Sequence, residues 1–437
     1  MTALGTVEGR GRPSHLAAGV AILAAATLAS ALLAPQLATA AGKGSFSPAP
    51  SMGTARYGAA AARLPDGRVL VAGGYYYDGA DHNLSNAEVY SPATNAWTAV
   101  DAMGTARWRA AAAPLPDGRV LVAGGSNNGL LASAEAYNPA TDTWAPIASM
   151  GIARQGHAAA LLPHGRVLVV GGSAGASAEA YNPATNAWSP VTPMGTARFA
   201  PAAAPLPDGR VLVAGGIDGV SVLPTAEVYD PATNTWTAVG AMDAARYAAA
   251  AAPLPDGRVL VAGGYYFDGT EDYLGSAETF DPATNAWTPV GAMGTPRVGA
   301  AAGPLADGRV LVAGGETDGS TSLASVEIFA ASNAFSFRVK RRRLIVSVQA
   351  SGKVSVGGAA SRHGAAAAKK KKRRLLKRSS AAGDPPRISV PLRLSKLAKE
   401  RLRRKGKVKV RARITFVPLG GLANTQTTRL KIRSRGK

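Results

Sequence analysis

The sequence predicts an all-β protein: six similar units, followed by a smaller and strongly basic β-rich region. Three observations predict it. A Gly-Gly pair recurs at Gly73, Gly124, Gly171, Gly215, Gly263 and Gly314, at intervals of 51, 47, 44, 48 and 51 residues. Each pair is preceded by an Arg, at Arg56, Arg107, Arg154, Arg198, Arg246 and Arg297, and followed by Glu-x-aromatic, from Glu88/Tyr90 in the first copy to Glu327/Phe329 in the sixth. Seven residues later comes a Trp in five copies, at Trp97, Trp144, Trp188, Trp236 and Trp287, while the sixth has Phe335 one residue early. A period near 50 built from strand-like stretches makes each copy one supersecondary unit that buries its faces against its neighbours.

These marks resemble the kelch motif, in which a Gly-Gly, a Glu-x-Tyr and a Trp follow one another. The resemblance covers residues 46–335, about two thirds of the chain. It implies a six-bladed kelch β-propeller of the galactose-oxidase-like superfamily, with four strands per blade around a central channel, as in bacterial secreted kelch-repeat proteins. Such a fold hosts many functions, so the site must be read separately.

The chain opens on a processing signal. Arg10 and Arg12 precede an apolar run from Leu16 to Leu33, and Ala38-Thr39-Ala40 follows. A positive start, an apolar middle and a small-residue exit describe a secretory signal peptide over residues 1–40. A retained membrane anchor is the alternative, because the run is about 18 residues long. Cleavage after Ala40 leaves no transmembrane helix and places the chain outside the cytoplasm, secreted or associated with the cell surface.

Within a repeat, the Ala-rich run after the Arg reads as the innermost strand, Ala248 to Ala252 in copy five, where small side chains suit the crowding near a propeller axis. Leu-Pro-Asp-Gly-Arg is a turn in which Pro255 pre-sets φ and Gly257 takes the positive-φ position. Val259, Leu260 and Val261 form a second strand buried between sheets, and Gly263-Gly264 ends it where the backbone needs close approach. Ala-Glu-Thr-Phe is the third strand, Asp-Pro-Ala-Thr-Asn a turn, and the Trp-bearing segment the outer strand, its indole expected to pack on the next blade.

Phe46 lies ten residues before Arg56, just as Trp287 lies ten before Arg297. Seven outer-strand segments therefore exist for six blades. Phe46-Ser47-Pro48 is expected to close the last blade and tie the ring, and Phe335-Ser336-Phe337 to begin the next domain. The alternative is that Phe335 closes its own blade and Phe46 stays loose. The propeller spans 41–334 and the basic region 335–437.

In that region Leu344–Val348, Val354–Val356 and Ile388–Leu394 read as strands, with a short helix from Ser395 to Arg404. Lys407 to Phe416 alternates: Val408, Val410, Ala412, Ile414 and Phe416 on one face, Lys407, Lys409, Arg411 and Arg413 on the other. Arg429 to Arg433 repeats the pattern. The whole predicts a small β-sandwich-like domain, similar to the basic C-terminal domains of secreted high-GC bacterial proteins.

The net charge of +22 is unevenly spread: from residue 338 onward stand 32 Lys and Arg against Asp384 and Glu400, leaving 17 basic and 25 acidic residues before it. A small domain this cationic produces a potential of several kT and suits adhesion to a polyanion. Lys369, Lys370, Lys371, Lys372, Arg373 and Arg374 form its densest run, read as a polyanion-binding linker or, more blandly, as a solvated charge run. It lacks the interleaved aromatics of a base-stacking platform, so no specific nucleic acid is expected. The implied partner is an anionic cell-envelope polymer.

No catalytic constellation is evident. The five His have no metal-ligand spacing, and with no Cys in the chain there are no disulfides and no thiolate site. The kelch resemblance brings in copper oxidases like galactose oxidase, whose radical cofactor needs a Tyr–Cys crosslink that this chain cannot form, and a sialic acid epimerase with the same blade number. No cofactor and no metal is expected. In ligand-binding kelch domains the repeat-opening position lies at one mouth of the channel. This makes Arg56, Arg107, Arg154, Arg198, Arg246 and Arg297 candidate ligand residues, together with Tyr57, Trp108, Phe199 and Tyr247 from the variable position that follows (Gln155 and Val298 in the other copies). Aromatics beside Arg suit sugar rings and carboxylate or sulfate groups. Perfect repetition of the Arg favours the other reading, an ion pair with a blade Glu such as Glu88 or Glu278. Two aromatic loops, Tyr75-Tyr76-Tyr77 and Tyr265-Tyr266-Phe267, are candidate rim residues. The expectation is a non-catalytic binding or scaffold protein whose propeller takes a glycan or protein. The alternative is a carbohydrate-active enzyme on the same propeller, which buried carboxylates of raised pKa at the channel mouth would favour.

Overall fold

Each repeat folds into a four-stranded antiparallel sheet because its sequence alternates short β-formers with turns that need positive φ. The computed structural model describes residues 44–433 except 268, 333–334, 341–342, 349–351, 359–375, 384–386, 406 and 419–423. Blade 1 is Ala60–Arg63, Val69–Ala72, Ala87–Ser91 and Ala96–Val100, paired in that order, and blades 2 to 5 repeat it. The expected signal segment and the run Lys369–Arg374 lie outside the described residues.

The second strand carries the packing. Leu70 and Ala72 of blade 1 meet Val120 and Val122 of blade 2, while Val69 and Val71 meet Leu311 and Ala313 of blade 6. One Val-Leu-Val-Ala strand thus fills two inter-blade cores, and each of its Val and Leu side chains stabilises by about 1.5–3 kcal/mol relative to exposure. The turns behave as expected: Gly67 takes φ +85°, and Asp66 Oδ1 accepts the Arg68 N–H at 3.0 Å.

The Trp residues correct the sequence reading. They pack toward the preceding blade, not the next. Trp144 of blade 2 lies against the blade 1 core, half-buried over Tyr137 with ring centres 5.1 Å apart, and its indole donates to the Asp101 carbonyl at 2.7 Å. The innermost strand also starts two residues late, at Ala250, because Ala248 turns to φ +52°.

Ser45–Ala49 pairs with Val326–Ala330 in full antiparallel register, Phe46 opposite Phe329. This N-terminal strand therefore completes blade 6, and Phe46 fills the Trp position with its ring 5.1 Å from Phe329. Phe335–Lys340 instead pairs with Arg343–Val348.

The basic region holds two sheets, Phe335–Lys340/Arg343–Val348/Arg387–Pro391 and Ser379–Gly383/Gly352–Gly358/Lys407–Pro418/Asn424–Arg433. Their inner faces share one core with Ala398 and Leu402 of the Lys396–Lys405 helix, which Ser395 caps through the Ala398 N–H. The Ser379–Gly383 strand was not expected: its short, small side chains give no alternation to detect.

Candidate functional site

The repeated residues build a frame around the axis. Arg107 is 1% exposed. Its Nη1 donates to the Gly124 and Ser133 carbonyls at 2.9 and 2.8 Å, and its Nη2 donates to Glu135 Oε1 at 3.0 Å. Glu135 in turn accepts the Gly104 and Thr105 N–H groups. Arg56, Arg154, Arg198, Arg246 and Arg297 do the same with Glu88, Glu179, Glu227, Glu278 and Glu327. All six guanidiniums are buried between strands, which corrects their candidacy as ligand residues and bears out the ion-pair reading that their repetition favoured. Their repetition is structural: a buried cation needs a fixed carboxylate and fixed carbonyls. Each Arg carbonyl also accepts from the second Gly of the preceding blade, Gly125 N–H to Arg154 at 2.9 Å for example. A Cβ on Gly124 would lie 2.6 Å from that oxygen, which explains the Gly-Gly pair.

A second ring lies nearer the axis. The residue two after each Arg takes the left-handed conformation: Gly58, Arg109, Gly156, Ala200, Ala248 and Gly299, with φ between +51° and +63°. The N–H of Arg109 donates to the Gly58 carbonyl at 2.9 Å, Gly156 to Arg109, Ala200 to Gly156, Ala248 to Ala200, Gly299 to Ala248, and Gly58 to Gly299 at 2.9 Å. Six peptides thus form a closed hydrogen-bonded ring. At this narrowing lies a cavity of about 100 Å³, bordered by Ala110, Pro201, Ala249 and the imidazole of His157. His157 is buried and neither ring nitrogen makes a hydrogen bond. Burial, helped by Arg154, pushes its pKa down to about 3.

Function-like variation sits on this symmetric frame. Arg109 is the one long side chain in the inner ring. Its guanidinium lies 4.3 Å from the Trp108 ring centre, 5.4 Å from those of Tyr57 and Phe199, and 5.9 Å from that of Tyr247. It donates to the Tyr57 hydroxyl at 2.7 Å. The structure therefore brings together four of the predicted aromatics, around a cation the sequence reading missed. The signal was present: a lone Arg in a column otherwise Gly or Ala.

The rim predictions resolve into two hairpins, Tyr75–Tyr77 with Asp81–Asn83 and Tyr265–Phe267 with Glu271–Tyr273. Their inner ends reach the aromatic group: Tyr75 packs on Trp108 at 5.4 Å and Tyr265 on Tyr247 at 6.4 Å. Tyr76 stacks on His82 instead, Tyr266 is half-buried and borders a separate hollow with Asp272 and Met242, and Tyr77 and Phe267 are 54% exposed at the tips. Between the two hairpins comes the blade 6 loop, where Ser322 donates to the Tyr75 carbonyl. That loop brings in Glu316, whose backbone bridges Val298. Burial raises the Glu316 pKa, Asp318 adds to the effect, and Arg109 opposes it. Burial and the hydrogen bond to Asp81 push the Tyr75 hydroxyl up to about 12. Among the described residues the mouth is thus a partly buried cluster of aromatic rings around one cation, with the Glu316 carboxyl on the adjoining loop. Among the described residues no group of three His, Cys, Asp or Glu side chains is placed to hold a metal ion.

Fold and site together define a six-bladed propeller with its sequence variation gathered at one end of the axis. The Kelch motif matches residues 56–104, 107–151, 156–195, 198–242 and 246–294, more than half of the chain, which belongs to that family. The sixth repeat lies beyond the last match and still forms a blade. Among solved structures the chain is similar to YjhT, with 17% identity, a TM-score of 0.54, and coverage of 68% of this chain and 99% of that one. It is also similar to a fungal alcohol oxidase of the AA5 family in complex with copper, with 15% identity, a TM-score of 0.49, and coverage of 90% and 100%. At these identities the first likeness is one of fold. No curated protein matches the chain in direct sequence comparison.

Proposed function

We propose that this protein is a non-catalytic binding module that works outside the cell. The propeller receives a glycan at the aromatic cleft, and the basic C-terminal region holds the chain to an anionic envelope polymer. One observation carries the reading: Arg109 fixed among Tyr57, Trp108, Phe199 and Tyr247. Aromatic faces stack on the apolar faces of sugar rings, and a guanidinium held without a carboxylate partner keeps donors for hydroxyl or acidic groups. Among the described residues Arg109 has no ion-pair partner, whereas the frame Arg residues all do.

The test is co-sedimentation of the full chain with insoluble cell-envelope material at about 0.15 M and about 1 M salt, where the screening length falls from roughly 8 to 3 Å. Retention that survives high salt and disappears in the Trp108→Ala/Phe199→Ala double variant supports a glycan site in the propeller. Retention unchanged in that variant overturns it. A second reading, a carbohydrate-active enzyme in the same cleft, draws on the raised carboxyl of Glu316. Sugar turnover lost in Glu316→Gln would establish it.

A further inference from the structure

The outer face of the four-stranded sheet in the basic region carries an arrangement that stability alone does not explain. Lys407–Pro418 pairs with Asn424–Arg433 so that Lys407 stands opposite Arg433, Lys409 opposite Lys431, and Arg411 opposite Arg429. At Lys409/Lys431 like charges lie directly across the strand pair, which destabilises the pairing. Lys407, Lys409, Arg413, Arg429 and Lys431 are exposed. None is in an ion pair; every salt bridge among the described residues falls within the propeller. The other face of the same strands is buried: Val408, Val410, Ala412, Ile414, Phe416, Leu430 and Ile432 are core. The cations are thus held on a rigid support at the two-residue step, about 7 Å.

Toward the far end of these strands the face changes from cations to hydroxyls. Ser380, Ser355, Thr415 and Thr425 stand in one row across all four strands, with Thr415 and Thr425 hydrogen-bonded at 2.8 Å. Beside them a groove of about 640 Å³ is lined by Lys353, Arg378 and Arg393 as well as Ser355, Ser380 and Thr415. The aromatic residues of this region are Phe335, Phe337 and Phe416; Phe416 is fully buried and Phe337 packs on the core. Val417 also lines the groove and is 40% exposed, but a single Val is too little apolar surface to wedge into a bilayer. Among the described residues the face otherwise offers charge and hydroxyls, with no ring for a base to stack on.

We infer that this sheet face, from the Lys409/Lys431 ladder to the Lys353/Arg393 groove, is a binding track for a linear phosphodiester polymer of sugar or polyol units, laid along the Lys407–Pro418 strand. Cations at a regular step match charges recurring along such a chain, and the hydroxyl row hydrogen-bonds phosphate or polyol oxygens. The inference rests on the envelope-adhesion reading above and moves the anchor from the Lys369–Arg374 run to the folded sheet.

The test measures binding of the full chain to poly(glycerol phosphate) as a function of salt, for three proteins: the unaltered chain, a face variant (Lys409→Gln, Arg413→Gln, Arg429→Gln, Lys431→Gln), and a run variant with Lys369 to Arg374 all changed to Gln. The face variant is expected to lose tenfold or more in affinity at about 0.15 M salt, and to lower the slope of log affinity against log salt by about 3, four lost contacts at roughly 0.7 each. It should melt no lower than the unaltered chain, because like-charge pairs are relieved, so lost binding is not lost folding. The run variant should keep most of the affinity. If the run variant alone loses binding, the sheet assignment is overturned and envelope adhesion survives. If both variants bind like the unaltered chain, the track is overturned. If the unaltered chain prefers single-stranded DNA or anionic vesicles to the polymer, the ligand class is overturned.

Discussion

Arg109 of blade 2 donates a hydrogen bond to the Tyr57 hydroxyl of blade 1 at 2.7 Å, while its own backbone N–H donates to the carbonyl of Gly58 in that same blade. One residue thus serves two purposes. Its peptide is a link in the closed axial ring, and among the described residues its side chain is the cation held among the rings at the mouth. A non-Gly residue at positive φ costs roughly 1–2 kcal/mol, and such strain concentrates at functional sites.

Replacing Arg109 by Gly separates the two purposes. The backbone strain is relieved, and cation–π contacts of roughly 0.5–1 kcal/mol each are lost. Stability is therefore expected to fall by only about 1–2 kcal/mol by chemical denaturation, the four lost contacts being partly offset by the relieved strain, while retention on envelope glycans at high salt falls at least tenfold. A large loss of stability would show that the side chain braces the fold.

The frame Arg residues behave in the opposite way. Arg107→Leu leaves Glu135 buried without its cation and is expected to destabilise by about 3–5 kcal/mol. Glu135→Gln keeps one oxygen, which can serve Thr105 and the Arg107 guanidinium, but turns an NH2 toward the Gly104 N–H. It should cost less because Arg107 still holds the Gly124 and Ser133 carbonyls. Denaturant midpoints of the two variants check the order, and Leu being the milder change would refute the structural role.

Gly124→Ala places a methyl against the Arg154 carbonyl in a left-handed conformation. It is expected to destabilise by about 2–3 kcal/mol. Gly129→Ala, where a Cβ meets nothing, should be near neutral in the same melting series.

His157 predicts a pH dependence. Its pKa is pushed down to about 3 in the fold, against an ordinary value near 6.5, so the unfolded chain binds the proton more readily. Its contribution is full above about pH 6.5 and is lost progressively as pH falls toward 3. The stability of the unaltered chain should fall more steeply across that window than that of His157→Ala. Parallel curves would mean that the imidazole titrates normally.

The repeats were legible because period and turn chemistry are local properties. Gly-Gly, Pro-Asp-Gly and the Val-Leu-Val strands read correctly, and Phe46 could be assigned to ring closure by counting residues. The frame Arg residues stayed ligand candidates because a buried ion pair and an exposed binding residue are written with the same letter; their repetition pointed to the ion pair, and the Glu135 contact, 28 residues away, establishes it. Trp direction failed because sheet twist, not sequence, decides which neighbour a side chain meets. Arg109 and Glu316 were not legible as site residues because each occurs in one repeat, and the repeat pattern carries no information about the role of a residue that departs from it. The Lys409/Lys431 facing pair could not be read at all, since cross-strand register needs the sheet.

The closure of blade 6 by Ser45–Ala49 also sets a timetable. Ser47 hydrogen-bonds to Ile328, a partner 281 residues further on. The ring cannot seal until nearly the whole repeat array has been synthesised, and loop-closure entropy and long sequence separation make that pairing slow. Until then the edge of the Ala87–Ser91 blade has neighbours on one side only, and the N-terminal strand must stay unpaired and available. Assembly is therefore gated by its last step: without residues 326–330 the Ser45–Ala49 strand has no partner and blade 6 cannot be completed.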